Sequence, residues 1–145
     1  MSQFNFEDSI SIGIQRADSA EANKSEIAQI FKDFSESFLR ASHNKIHSEL
    51  KLKQRRVGRV RNPLFAAAAF LDNDYETYTA LILSNGAQEY VIAEIIESED
   101  GYPLRIKIKG DTSAYSDKDS LVDGLSRLVT RTEVGKYYKL LLIDE

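Results

Sequence analysis

The sequence predicts an α+β fold: one antiparallel sheet of four to five strands, run as a β-meander, with an N-terminal amphipathic helix and one or two C-terminal helices packed on one face. Three observations predict it. Apolar residues recur at helical spacing in the first third, strand-forming runs separated by turn residues fill the middle, and helical spacing returns near the end. At 145 residues, 42% apolar and 29% charged, the chain has the size and balance of a single domain spanning residues 1–145, able to bury a core without staples.

Ile10, Ile12 and Ile14 alternate with Ser9, Ser11 and Gly13, which predicts a short strand over about Ser9 to Gln15. Asp18, followed three residues later by Glu21, has the spacing of a helix start. The helix it opens, about Ser19 to Ser42, has an apolar stripe of Ile27, Ile30, Phe31, Phe34, Phe38 and Ala41. After His43 and Asn44 the period changes to two. Ile46, Ser48, Leu50 and Leu52 alternate with Lys45, His47, Glu49, Lys51 and Lys53, predicting a strand with one cationic face. Gly58 and Pro63 mark a bulge or turn. Leu64 to Leu71 then reads as a strand whose small Ala66 to Ala69 side chains would admit the phenylalanines of the first helix.

A clearer meander follows. Tyr75 to Ser84 and Glu89 to Glu97 read as strands joined by a two-residue Asn85-Gly86 turn. Asp100-Gly101 marks a second turn. Leu104, Ile106 and Ile108 alternate with Arg105, Lys107 and Lys109, a half-buried strand with a cationic outer face, and Pro103 suggests that it is an edge strand. Ser116 or Asp117 caps a helix with the stripe Leu121, Leu125, Leu128 and Val129. The final segment is either a helix opened by Thr132 or a strand along Tyr137 to Ile143. The shared face of Val134, Tyr138 and Leu141 favours the helix.

Charge is unevenly placed. The net charge is −4, yet residues 1–44 carry −3, residues 45–61 carry +6 and residues 62–145 carry −7. A basic island therefore stands in an acidic protein. Lys51, Lys53, Arg55, Arg56, Arg59 and Arg61 form it, and Arg105, Lys107 and Lys109 would enlarge it if their strand lay alongside. Three readings compete: the cations neutralise the protein's own acidic groups and guard a sheet edge, they contact a partner protein, or they bind nucleic acid phosphates. The acidic remainder and the lack of interleaved aromatics weigh against nucleic acid.

Motifs of catalysis do not survive inspection. His43 and His47 have zinc-ligand spacing on a helix, but the glutamate beside the first histidine of a zincin is missing and lysines surround them. Arg105 stands where an Asp/Glu-x-Lys nuclease needs its acid before Lys107. No Gly-x-Ser-x-Gly elbow, phosphate-binding glycine loop or dinucleotide fingerprint occurs. There are no cysteines, which removes disulfides and thiolate sites and fits a reducing compartment. The N-terminus has no signal-peptide pattern, so a cytoplasmic location is expected.

The expected function is a non-enzymatic protein-binding domain of inhibitor, immunity or dedicated-chaperone type. It would use an open sheet face or edge and the basic residues Lys51, Lys53, Arg55, Arg56, Arg59, Arg61, Arg105, Lys107 and Lys109. Seven tyrosines add interface-forming side chains. The expected partner is another protein, with a second copy of the chain as one form of it; no membrane, metal or cofactor is expected. The alternatives are a nucleic-acid accessory protein gripping phosphates through Lys51 to Arg61, and a small enzyme whose site the sequence does not display.

Overall fold

A computed structural model of the chain describes residues 4–56 and 75–143. A single long helix, α1 (Phe6–Ala41), leads into strand β1 (His47–Arg56). Strands β2 (Tyr75–Ser84), β3 (Glu89–Ser98), β4 (Gly101–Ile108) and β5 (Asp111–Tyr115) follow, and helices α2 (Lys118–Val129) and α3 (Thr132–Ile143) complete the order. All five strands form one sheet in sequence order, every neighbour antiparallel. The predicted α+β meander is the observed architecture, and the final segment is a helix.

The core lies between the helices and one face of the sheet. Ile27, Ile30 and Phe31 from α1 meet Leu81, Leu83, Ala93, Ile95, Leu104 and Ile106 from the sheet. Leu121, Leu125 and Leu128 of α2, with Val134 and Leu141 of α3, close it. Each fully buried aliphatic side chain contributes about 1.5–3 kcal/mol. The α2 stripe and its start agree with the sequence: Asp117 caps the helix by accepting from the Ser120 amide at 2.8 Å, and Ser120 reciprocates.

Four expectations need correction. The Ser9 to Gln15 segment is helical, and Asp18 and Glu21 lie in the middle of α1. Asn5 is the true cap, its side chain accepting from the Asp8 amide at 3.3 Å, and Glu7 and Asp8 favour the helix N-terminus electrostatically. A strand there would need a neighbour for its backbone, whereas a helix satisfies its own. The β2–β3 connection is the four-residue loop 85–88, in which the Asn85 Oδ1 accepts from the amides of Ala87 and Gln88 at 2.9 and 2.8 Å. That side-chain closure replaces the tight two-residue turn.

Strand β4 is interior, paired with both β3 and β5. Pro103 is tolerated because the β3 ladder shifts register opposite it and the β5 ladder begins at Leu104. Its missing N–H therefore falls where neither ladder needs a donor. Strand β5, with the polar sequence DTSAY, has no apolar alternation and was invisible to periodicity. The predicted strand Leu64 to Leu71, and its packing against the phenylalanines, lies outside the described residues.

At the α1–β1 junction, His43 and Asn44 adopt left-handed conformations with φ of 56° and 67°. The Asn44 amide donates to the Leu39 carbonyl at 2.7 Å. Buried Ser42 completes the turn, its Oγ accepting from the Ile46 amide at 2.8 Å and donating to the Phe38 carbonyl at 2.7 Å. This reversal sets the register in which β1 presents its alternate residues.

Candidate functional site

The cationic residues of β1 project from the sheet face opposite the core. Lys51 lies across from Ala80, Ala80 from Glu94 and Glu94 from Lys107, so these four form one row across the sheet. Directly opposed residues share a face, which places Lys51, Lys53, Arg55, Arg105 and Lys107 together on it. The two basic strands are not neighbours. Two strands separate them, about 14 Å at ordinary strand spacing.

Acidic side chains stand between them. Lys51 and Lys53 both reach Glu89, with Nζ–Oε distances of 2.8 and 2.7 Å. Arg55 pairs with Glu76 and with Glu94, the latter at 3.0 Å, and its guanidinium lies 4.8 Å over the Tyr78 ring centre. Hydrogen bonds from Lys51, then from Lys53, hold the Glu89 carboxyl below the ordinary carboxylate range, against partial desolvation. The same bond raises Lys51, and hydrogen bonding to Glu76 raises Arg55. This charged face is thus a largely self-neutralised lattice, with Arg105 and Lys107 left over. Of the apolar residues on this face, Ala80 and Ile82 are buried, while Val91, across from Ile82, and Ile96, across from Arg105, are exposed.

Lys109 sits in the β4–β5 turn with φ of 50° and pairs with Glu133 of α3 at 2.8 Å. Arg56, directly across from Tyr75, is on the other face of β1 and exposed. Arg59 and Arg61 lie outside the described residues. His43 and His47 fall on either side of the turn and not on one helix face; the His47 Nε2 is 3.7 Å from the Glu49 carboxylate. Among the described residues no three His, Asp or Glu side chains converge on a common point for a metal. No described helix is long and apolar enough to cross a membrane.

Most tyrosines serve the fold. Tyr90 and Tyr137 stack with centroids 4.5 Å apart and planes 8° from parallel. Tyr137 donates to Glu133 at 2.7 Å. Tyr102 donates to Glu26 at 2.8 Å and ties β4 to α1; burial and that carboxylate push its phenol well above the usual range. Tyr138 faces Phe38. Tyr115 lies against Gly124 so closely that a Cβ there would overlap its ring. Tyr75 is the exposed exception, at 56%.

A feature that sequence reasoning missed is the N-terminal arm of α1. Residues 4–19 are all exposed, and Asn23, whose Nδ2 donates to the Asp100 carbonyl at 3.0 Å, is near the point where the helix leaves the body. Phe6, Ile10 and Ile14, four residues apart, are 66%, 62% and 59% exposed. Their spacing was the available signal, masked by the period-two alternation of the same isoleucines with serine. Comparison of the chain with protein-family models, curated proteins and solved structures finds no match.

Proposed function

We propose that this chain is a non-enzymatic protein-binding domain of inhibitor, immunity or dedicated-chaperone type, acting in the cytoplasm. The observation that carries the reading is the uncovered arm of α1. The fourteen exposed helical residues 6–19 span about 21 Å, and an isolated helix of that length is marginal in water. Its composition makes this worse, because Ile10, Ile12 and Ile14 are β-branched and Gly13 interrupts them. Such an arm gains its stability from contact, and the exposed Phe6, Ile10 and Ile14 stripe is the apolar half of that contact.

Lys51, Lys53, Arg55 and Arg56 of β1, with Arg105, Lys107 and Lys109 and with Arg59 and Arg61 outside the described residues, supply the polar part of the proposed surface. The internal pairing of Lys51, Lys53 and Arg55 favours a protein partner over nucleic acid, since those cations are already held by carboxylates that would repel phosphate. The test is retention of a stoichiometric partner from the native host by the wild-type protein and its loss on Ile10→Asp/Ile14→Asp, with light scattering to register a second copy as the partner. Equal retention by wild type and variant, or a monomer that captures nothing, sinks the arm as the contact. Salt-sensitive binding of duplex DNA or RNA, abolished by Arg59→Ser/Arg61→Ser, would establish the nucleic-acid alternative instead.

A further inference from the structure

We propose that a cleft at the open side of β3 is a binding site for a small phosphate monoester, with Lys107 and Arg131 as its phosphate ligands. The cleft exists because β4 ends early. Its residue Lys107 pairs with Glu94, so the first half of β3, with the register shift near Val91 and Ile92, extends past the end of β4. The start of α3 and the β4–β5 turn close over this gap and leave a volume of about 290 Å³. That is the small end of the range for ligand sites and suits a single-ring compound.

Its charge is the decisive property. Arg55, Lys107, Lys109 and Arg131 line it with Glu94 and Glu133, and with Glu76 behind Arg55 the four cations exceed the three carboxylates by one. Arg55 is committed to Glu76 and Glu94, and Lys109 to Glu133. Lys107 and Arg131 make no side-chain hydrogen bond or ion pair with any described residue, although the Arg131 charge adds to the depression of Glu133. A phosphate monoester carries close to two negative charges at neutral pH, one for each of the two uncommitted cations, and an arginine fork suits its oxygens. The N-terminus of α3, a helix of 12 residues, adds its favourable dipole end. Tyr78, Val91 and Val134 give the cleft apolar and aromatic walls for the organic part.

Calorimetric titration with phenyl phosphate, phenol and glutarate tests the assignment on the full chain. Phenyl phosphate should bind saturably and more weakly as salt rises, while phenol should not bind. Lys107→Gln and Arg131→Gln should each weaken phenyl phosphate at least about tenfold, the loss of one charge-assisted hydrogen bond. Lys136→Gln, exposed on α3 but outside the cleft, should leave it unchanged. Absence of saturable binding by a wild-type protein of native circular dichroism overturns the proposal. So does an equal loss in Lys136→Gln, which would mean diffuse attraction. Glutarate binding as tightly as phenyl phosphate also overturns it and reassigns the cleft to acidic side chains of a polypeptide.

Discussion

Gly101→Ala probes the point at which α1 is fastened to the sheet. Gly101 opens β4 with φ of +87°, and a Cβ built on it would lie 2.8 Å from the Asn23 Cβ. Two costs therefore add. Holding an L-residue in a left-handed conformation costs about 1–2 kcal/mol, and forcing a methyl group into a packed contact costs about 1–3 kcal/mol more. Gly86 separates them, because its φ of +92° carries similar strain while a Cβ there meets nothing within 4 Å. Both substitutions also lower unfolded-chain entropy by a similar amount, which cancels in the comparison. Urea unfolding should show Gly101→Ala less stable than Gly86→Ala by the packing part, about 1–3 kcal/mol, at an unchanged m-value. Hydrogen exchange should quicken around Asn23 in the first variant and not in the second. Equal losses in the two variants would falsify the claim that α1 is seated by close backbone approach at Gly101.

Two further outcomes follow from buried and paired polar groups. Ser42→Ala, which strands the Ile46 amide while the Phe38 carbonyl keeps the Ser42 amide as donor, should cost about 1–3 kcal/mol, whereas Ser48→Ala should be neutral or stabilising, because the buried Ser48 Oγ has no hydrogen-bond partner among the described residues; thermal unfolding of both decides, and a larger loss at Ser48 would contradict the assignment. Glu89 is depressed below its ordinary value of 4.5 by Lys51 and Lys53. Its contribution is therefore fully present above pH 4.5 and disappears as pH falls through the lower folded value. Glu89→Gln should flatten the fall in the urea midpoint below pH 4.5, and an unchanged acid limb would show that the lysine pairs contribute nothing to folding.

The elements most legible in the sequence were those whose signal is local. The stripe from Ile27 to Phe38, the alternation of Leu104 and Ile106 with Arg105 and Lys107, and the Asp117 cap each require only neighbouring residues to be read. Strand β5 was illegible because Asp111 to Tyr115 is held by its ladder to β4 and by little apolar burial of its own. The Ser9 to Gln15 segment was misread because Ile10 and Ile14 satisfy a period of two and a period of four at once. Helical continuation from the packed part of α1 decides between them, and that packing is not a local property.

The candidate site divides in the same way. Residue types alone determined that an acidic chain carries a basic island on an extended segment, since charge and alternation are written in order along the backbone. Where those charges go was a tertiary matter. The antiparallel register brings Glu89, Glu76 and Glu94, distant in sequence, against Lys51, Lys53 and Arg55, so that these three cations of the island are neutralised by their own sheet. The same register ends β4 short of the β3 hairpin and leaves Lys107 and Arg131 lining one cleft. Coulomb energy depends on distances through space, and only the fold sets those.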